Sequence, residues 1–284
     1  MKILVFLAVW KRPEITEICF MGLERLRNNS PLPIEAFAVI SEETMIPLCN
    51  KYGIKWTMHP NEPVGNKKNH GLTEAMKLDW DYLLEIGSDD LVKDELIELY
   101  KPLLGKAPMF GTKDAVIINS VDGQCRRLRS DTVYGLGRCI SRDVFEKHCY
   151  GVDVIAKTDI VCRGRSVGNG KKGFFLVAQA KELEGLGRVE IIGEPRYRLW
   201  KDEINRGLDN NSDFFLMTQG VDYKTVKTDK PLTLDIKGPD NIWKFSPEIG
   251  EPYLLGEALD GLSDDEQGAI ISLWKRKKSN VEYA

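Results

Sequence analysis

The sequence predicts an α/β fold in which a mostly parallel sheet is flanked by helices and followed by a C-terminal extension. Strand and helix patterns alternate along the first part of the chain, and this alternation is typical of parallel sheets covered by helices. The chain has 284 residues, of which 42% are hydrophobic and 29% are charged. These values predict a globular protein with a sizeable core, and they exclude global disorder and a fibrous repeat.

The elements follow in order from short apolar runs, which predict buried strands, and from longer amphipathic segments, which predict helices. The predicted strands cover residues 2–9, 34–40, 54–58 and 81–86. A helix is expected from Pro13, with Ile15, Ile18, Cys19, Gly22 and Leu26 on one face. Further helices are expected over residues 43–51, after the polar turn 61–65, and over residues 94–104.

Beyond residue 110 the pattern is less regular. Strands are predicted over residues 115–119, 124–129 and 232–236, and a helix over 141–149 with Ser141 as its N-cap. The glycine-rich, basic segment 163–173 predicts a mobile loop. The C-terminal part contains Trp243 and ends in a helix that carries Ile270 and Trp274.

The net charge of −3 argues against a protein whose whole surface binds nucleic acid, but the charge is unevenly distributed along the chain. Residues 122–201 contain 16 Lys plus Arg against 10 Asp plus Glu, a net of +6. The six cysteines form no CxxC pair, which favours reduced thiols and a cytoplasmic protein over structural zinc or a disulfide scaffold. We expect no membrane span, because no run approaches the ~18 apolar residues that one requires.

Three polar segments follow predicted strands, at the edge of the sheet where α/β proteins bind ligands. They are residues 10–12, 41–43 and 87–90. The last segment contains Asp89 and Asp90, whose oxygen atoms suit Mg²⁺ or Mn²⁺. The alternative interpretation is that these aspartates cap the next helix.

A second candidate site is the segment 64–71, where Gly65 precedes Lys67 and Lys68 at a helix start. Free N–H groups at a helix N-terminus attract phosphate, and a bound anion would explain lysines that otherwise oppose the helix dipole. The alternative is a solvated first turn with two surface lysines.

Together these segments resemble the GT-A glycosyltransferases, most nearly the family-2-like enzymes, over roughly residues 1–220. The family has an Asn-Arg-Pro-Glu-like opening, a Gly-x-x-x-Arg-Asn-x-Gly-like turn, a DxD-type motif, a later Gly-x-Gly-Arg followed by Ser-Arg, and a Gly-Leu-Asp near the end of the catalytic domain. The corresponding residues here are Trp10-Lys11-Arg12-Pro13-Glu14, Gly65-Asn66-Lys67-Lys68-Asn69-His70-Gly71, Gly87-Ser88-Asp89-Asp90, Gly135-Leu136-Gly137-Arg138, Ser141-Arg142 and Gly207-Leu208-Asp209.

The resemblance implies a Rossmann-like GT-A fold, a nucleotide-sugar-binding half over residues 1–110, an acceptor-binding half over 111–220 and an extension over 221–284. It implies that Asp89 coordinates Mn²⁺ or Mg²⁺ and that Asp209 is the general base, with Asp202 and Glu203 as alternatives to Asp209. It further implies a donor site formed by Ala8, Trp10, Arg12, Glu42, Lys68, Asn69, Ser88 and Asp90.

The implied reaction moves a sugar from a nucleoside diphosphate sugar, expected to be a UDP-sugar, to an acceptor hydroxyl with inversion. The acceptor is a carbohydrate or, given the basic middle of the chain, a modified base in DNA. The chain departs from the family where Gly87 replaces the first acid of the DxD motif and where no histidine follows His148. Two alternatives stay open. One is nucleotidyl transfer to a sugar phosphate; the other is a non-catalytic nucleic-acid-binding protein, suggested by Arg126, Arg127 and Arg129 and by the basic segment 163–173 with Phe174 and Phe175 after it.

Overall fold

The computed structural model describes residues 1–162, 165–205, 208–239, 241 and 244–281, and gives side-chain positions for all of these except residues 162, 165, 209–210 and 275–281. The chain forms two compact units. The first comprises Met1–Asn61, Asp79–Ile140 and Tyr223–Ala284, and the second comprises Glu62–Leu78 and Ser141–Asp222. The functional halves expected over residues 1–110 and 111–220 stay a prediction.

The described strands and helices are numbered here in chain order. The strands are β1 Ile3–Val9, β2 Ile34–Ile40, β3 Lys55–Met58, β4 Tyr82–Gly87, β5 Asp90–Val92, β6 Met109–Thr112, β7 Asp114–Asn119, β8 Cys125–Arg129, β9 Arg138–Ser141, β10 Tyr150–Ala156, β11 Ile160–Cys162, β12 Arg165–Val167, β13 Lys172–Leu176, β14 Val189–Tyr197, β15 Tyr223–Val226, β16 Thr233–Lys237 and β17 Glu251–Tyr253. The helices are α1 Pro13–Asn29, α2 Ile46–Lys51, α3 Val64–Ala75, α4 Asp94–Tyr100, α5 Arg142–His148, α6 Val177–Gly185, α7 Leu208–Thr218, α8 Leu255–Leu259 and α9 Asp264–Val281.

The first unit is built around a seven-stranded sheet with the order β15-β6-β9-β4-β1-β2-β3. Strands β3, β2, β1 and β4 are parallel, and β1 lies between β2 and β4. The registers pair Ala8 with Val39 and with Gly87, so the polar segments after these strands leave the sheet at one edge. Strands β1, β2 and β4 are predominantly apolar because residues on both of their faces are buried, as expected for the central strands of a parallel sheet covered by helices, whereas the edge strand β3 is mostly exposed.

A second sheet of the same unit has the order β17-β8-β7-β16-β5. Its edge strand β5 begins at Asp90 and pairs antiparallel with β16, whose other neighbour is β7. The C-terminal extension therefore supplies a central strand of this sheet. Its helices α8 and α9 contribute to a core that also contains Ile15, Ile18 and Leu91.

The second unit contains the three-stranded sheet β13-β10-β14, the hairpin β11–β12 and the helices α3, α5, α6 and α7. Strand β10 pairs antiparallel with both neighbours. Helix α6 packs on this sheet, and Val154, Phe175 and Ala180 lie in the resulting core.

The predicted α/β class with a mostly parallel sheet flanked by helices is confirmed, and the expected face of α1 is buried. Two local predictions are wrong. The segment 163–173 contains β12 and the start of β13, because its backbone pairs with β11 in a hairpin and with β10 in the three-stranded sheet. Helix α3 begins at Val64, inside the expected turn, because the cap residue Pro63 precedes it with an extended backbone.

Three further outcomes concern smaller features. Ser141 occupies the predicted N-cap position of α5 but makes no side-chain cap hydrogen bond. Trp243, Arg163, Gly164 and Gly207 lie outside the described residues. Within the described part of the chain, no helix combines the length and the apolar character that a membrane crossing requires.

Candidate functional site

The candidate site lies where β1 and β4 end in the first unit. The chain turns sharply after β1, and Lys11 and Arg12 have left-handed φ angles of 54° and 55°. Such a conformation is costly for residues with a Cβ and is found mostly where tertiary contacts enforce it. Here the Lys11 amide donates to Glu42 Oε2 at 2.9 Å, and Arg12 Nη1 donates to Asp89 Oδ2 at 2.9 Å.

Asp89 accepts hydrogen bonds from Arg12 and Asn241 and forms a longer ion pair with Lys237. Besides Arg12, Asn241 Nδ2 donates to Asp89 Oδ2, and Lys237 Nζ lies 3.7 Å from the same oxygen. Arg12 Nη2 also reaches Ser88 Oγ at 3.2 Å. The side chains of Arg12 and Asp89 are 13% and 12% exposed, so this ion pair is largely screened from water.

Asp89, Asp90 and Asp235 form a compact carboxylate cluster, in which one oxygen from each residue lies within 4.8 Å of the others. Asp90 Oδ2 accepts a hydrogen bond from the Gly87 amide, and Asp235 Oδ2 is paired with Lys237 Nζ at 2.5 Å. Asp235 Oδ1 is buried without a hydrogen-bond partner. A buried oxygen of this kind is costly unless a cation or donor can satisfy it.

The three carboxyl groups differ in their affinity for protons. Burial raises the pKa of Asp90 well above its ordinary value, and the charges of Asp235 and Asp89 raise it further. Burial likewise raises the pKa of Asp235, to about 6, although Lys237 opposes this shift. Burial also acts to raise the pKa of Asp89, but the charges of Arg12 and Lys237 outweigh it, and the resulting pKa is lowered.

This donor set fits a divalent cation. Three carboxylates that converge within 4.8 Å match the oxygen ligands that Mg²⁺ and Mn²⁺ prefer, and Asp235 Oδ1 lacks a partner that such an ion would supply. The cluster could therefore hold a metal, as expected for Asp89. The alternative that Asp89 and Asp90 cap a helix is wrong, because Asp90 begins β5 and the N-cap of α4 is Lys93.

The structure brings several sequence-predicted residues together in this unit. Arg12, Ser88 and Asp89 are in direct contact, Asp90 is part of the cluster, and Glu42 fixes the loop that carries Arg12. Ala8 lies at the end of the central strand, and Trp10 is covered by Lys11 Nζ at 4.4 Å from the ring centroid. Their contacts with a substrate stay predictions.

Sequence reasoning missed Asp235, Lys237 and Asn241, which all come from the C-terminal extension. Residues 233–237 form a strand in which Asp235 and Lys237 interrupt an apolar run. Two charged residues in a strand whose neighbours are buried are a signal of a polar site or an ion pair. Their link to Asp89 was not visible, because about 145 residues separate them in the sequence.

The expected phosphate site at the start of α3, in the second unit, is wrong. The first amides of α3 are satisfied by the chain itself: Val64 N donates to Asn205 Oδ1, Gly65 N to Ile204 O and Asn66 N to Asp202 O. Gly65 is required for this close approach, because a Cβ would lie 1.8 Å from Lys201 O. The interpretation of Lys67 and Lys68 as surface lysines is also wrong, because both are buried.

Asn69 is a central hydrogen-bonding residue of the second unit. Its Nδ2 donates to Trp200 O at 2.7 Å and to Asp202 Oδ1 at 2.8 Å. Its Oδ1 accepts from the amides of Leu199 and Trp200 at 3.0 and 3.1 Å. Lys68 Nζ lies 4.2 Å from the Trp200 ring centroid. These contacts hold α3 to the segment after β14, while a donor contact by either residue stays a prediction.

The expected catalytic residue Asp209 lies in α7, but its side chain is outside the described residues. Because α7 begins at Leu208, Asp209 does not precede the helix as a cap would. Its proposed substitute Asp202 is engaged by Arg196 Nη2 at 2.7 Å and by Arg198 Nε at 3.3 Å. Burial acts to raise the pKa of Asp202, but the hydrogen bond from Arg196 and the charge of Arg198 outweigh it, so the resulting pKa is lowered.

The arginines that motivated the nucleic-acid-binding alternative are largely occupied within the first unit. Arg127 pairs with Asp114, and Arg126 donates to the carbonyls of Ile249 and Gly250. Arg129 Nη1 lies 3.4 Å from Glu251 Oε1. These contacts connect β8 to its neighbours, so the arginine run has a structural role in its sheet.

Comparison with known proteins gives structural matches but no sequence matches. No protein-family model and no curated protein matches the chain. Among solved structures, the chain is similar to S. aureus TarS 1–349, with a TM-score of 0.43, 13% identity, and coverage of 83% of this chain and 60% of that chain. It is also similar to the mannosyltransferase PcManGT from Pyrobaculum calidifontis in complex with GDP-Man and Mn²⁺, with a TM-score of 0.43, 11% identity and coverage of 83% and 56%.

A third similar structure is a CMP:2-keto-3-deoxy-manno-octonic acid synthetase complexed with CTP, with a TM-score of 0.36, 11% identity, and coverage of 80% of this chain and 90% of that chain. The chain thus spans less than two thirds of the length of TarS 1–349 and of the mannosyltransferase. Solved glycosyltransferases are among the structures that this α/β chain resembles.

Proposed function

We propose that the protein is a glycosyltransferase that moves a sugar from a nucleoside diphosphate sugar, specifically a UDP-sugar, to an acceptor hydroxyl. The observation that carries the proposal is the buried cluster of Asp89, Asp90 and Asp235 beside Arg12, at the carboxyl edge of the parallel strands. This edge is where α/β sheets bind ligands. An acidic cluster with a neighbouring guanidinium suits a metal–diphosphate group, which presents both a cation and anionic oxygens.

In this proposal the side chains of the first unit have distinct tasks. Asp89, Asp90 and Asp235 would hold Mn²⁺ or Mg²⁺, which when bound would offset the charge that develops on the departing nucleoside diphosphate. Arg12, which is fixed by Asp89 and Ser88, would contribute a second positive charge toward the donor phosphates. Glu42 keeps the strained turn at Lys11 in place, so that Arg12 is positioned before the donor arrives.

The acceptor step is assigned to Asp209 by the family resemblance. A carboxylate there would remove the proton from the acceptor hydroxyl as the hydroxyl attacks the sugar, and a single displacement of this kind inverts the anomeric centre. Asp209→Asn should abolish transfer and leave donor binding intact. Retained turnover in this variant would reject the assignment, and Asn211→Asp would serve as a control for general disturbance of α7.

The donor proposal is tested by a thermal-shift panel of nucleoside diphosphate sugars, each with and without Mn²⁺. One UDP-sugar should raise the melting temperature, and Mn²⁺ should increase the shift, because a ligand that binds only the folded state stabilises it. Asp89→Ala should remove the metal-dependent part, whereas the exposed-site control Asp131→Ala should retain it. The proposal fails if no sugar nucleotide shifts the wild-type protein or if Asp89→Ala responds as the wild type does.

The acceptor and the location are further parts of the proposal. A carbohydrate hydroxyl and a hydroxyl on a modified DNA base are distinguished by DNA binding, which should weaken steeply as salt rises if phosphates are contacted. Absent or salt-insensitive DNA binding would leave the carbohydrate as acceptor. We propose a cytoplasmic location, which is supported by Cys19, Cys49, Cys125, Cys139 and Cys149 being buried free thiols.

A further inference from the structure

The carboxylate cluster already contains a cation supplied by the chain. Lys237 Nζ lies 2.5 Å from Asp235 Oδ2 and 3.7 Å from Asp89 Oδ2, and the lysine side chain is only 9% exposed. Asp235 and Lys237 are two residues apart on β16, so their side chains emerge from the same face of the strand. The ammonium group therefore bridges two of the three carboxylates that could hold a metal.

We propose that Lys237 is an internal counter-ion that competes with the divalent cation for Asp89 and Asp235. This inference rests on the metal site of the proposed function and adds a residue that controls the affinity of that site. A divalent ion among the same carboxylates would lie within a few ångströms of the lysine ammonium, and like charges at that separation repel strongly in a buried site. Metal binding must therefore displace the ammonium from Asp235 or proceed against its charge.

Arg12 does not bridge two carboxylates of the cluster as Lys237 does. Its guanidinium pairs with Asp89 and reaches Ser88, on the loop that β4 leads into, whereas Lys237 bridges Asp89 and Asp235. Lysine is also the better candidate for displacement, because its compact ammonium sits on a flexible four-carbon stem. The structure thus points to Lys237 as the residue that sets how tightly the cluster binds a metal.

The inference makes two measurable predictions for Lys237→Met. Without metal the variant should melt at a lower temperature than the wild type, because the carboxylates lose their internal counter-charge. Its affinity for Mn²⁺ alone, measured by isothermal titration calorimetry at pH 8, should rise about tenfold or more. Saturating Mn²⁺ should consequently raise the melting temperature of Lys237→Met by more than it raises that of the wild type.

Two further variants make the test decisive. Lys237→Gln keeps an amide donor for Asp235 and removes only the charge, so it can replace Lys237→Met if the latter does not fold. Lys224→Met removes an exposed lysine of the same unit and should bind Mn²⁺ as the wild type does. Circular dichroism confirms that each variant is folded before the titration.

The outcomes separate this inference from the proposed function. Tighter Mn²⁺ binding by Lys237→Met or Lys237→Gln, with Lys224→Met unchanged, supports competition. Equal or weaker binding by both Lys237 variants overturns it and leaves the metal site standing. If neither the wild type nor any variant binds Mn²⁺, competition is overturned together with the metal part of the proposed function, while the sugar-nucleotide panel still tests the donor.

Discussion

Replacing Asn69 with alanine distinguishes a structural role for this residue from the donor contact implied by the family resemblance. Asn69 is 1% exposed, and its carboxamide makes four hydrogen bonds of 2.7–3.1 Å to Leu199, Trp200 and Asp202. The substitution removes all of these at once. We therefore expect Asn69→Ala to lower the stability of the second unit whether or not a donor is present.

The size of the stability loss depends on the buried polar groups that Asn69→Ala leaves without hydrogen-bond partners. A typical hydrogen bond contributes about 0.5–1.5 kcal/mol net, and a buried polar group left without a partner costs about 1–3 kcal/mol. The amides of Leu199 and Trp200 cannot easily form replacement hydrogen bonds with water, because these residues are only 3% and 1% exposed. We expect the free energy of unfolding to fall by about 3–5 kcal/mol, a large share of the ~5–15 kcal/mol of a typical domain.

Urea denaturation followed by circular dichroism measures the loss, and hydrogen exchange at the Leu199 and Trp200 amides locates it. Asn66→Ala, on the same helix with a partly exposed side chain, is the matched control and should lose less than about 1 kcal/mol. The reasoning is refuted if Asn69→Ala is as stable as the control and the two amides exchange at wild-type rates. A higher KM for the donor at unchanged stability would instead favour the substrate contact.

Three other substitutions or conditions test features of the fold. Arg138→Met should cost about 3–5 kcal/mol, because it removes the arginine paired with the buried Glu85, and Arg138→Met/Glu85→Gln should recover part of the loss in urea denaturation. Lys11→Gly should raise the free energy of unfolding by about 0.5 kcal/mol, because it relieves ~1 kcal/mol of left-handed backbone strain and loses ~0.5 kcal/mol of contact between the lysine and Trp10. A lower melting temperature than that of the wild type would contradict this expectation. The pKa of Asp202 in the folded protein lies below its unfolded value of 3.8. The ionised carboxylate therefore contributes its full share to the free energy of unfolding above pH 3.8, and this contribution is lost as the pH falls through the folded pKa. Melting temperatures of Asp202→Asn should accordingly vary less with pH below 3.8 than those of the wild type.

Much of the first unit could be predicted because its signals are local. The strand Ile3–Val9, the helix from Pro13 and the strand Ile34–Ile40 follow from short apolar runs and amphipathic spacing, and the structure has them within a residue of the expected bounds. The position of Asp89 after β4 also followed from local order. Features that depend only on their own segment or on one neighbouring segment can be predicted from the local residue pattern.

The features that could not be predicted depend on distant segments. Gly65 and the lysines after it have the composition of a phosphate site, but the chain near Ile204 fills that position with its own carbonyls. Asp235 and Lys237 show an unusual charge pattern, yet no residue near them in the sequence predicts that they contact Asp89. The strand pairing of β16 with β5 decides that partnership, and such pairing depends on the packing of the whole unit.

The pairing of β16 with β5 also orders events during protein synthesis. Residues 90–92 emerge from the ribosome long before residues 233–235, their strand partners. Until the later strand arrives, the nascent chain carries Asp89 and Asp90 without Asp235, Lys237 or Asn241. The second unit, by contrast, has emerged in full once Asp222 is free. A chain that stops short of β16 would therefore lack Asp235 and Lys237, and its carboxylate cluster would be incomplete.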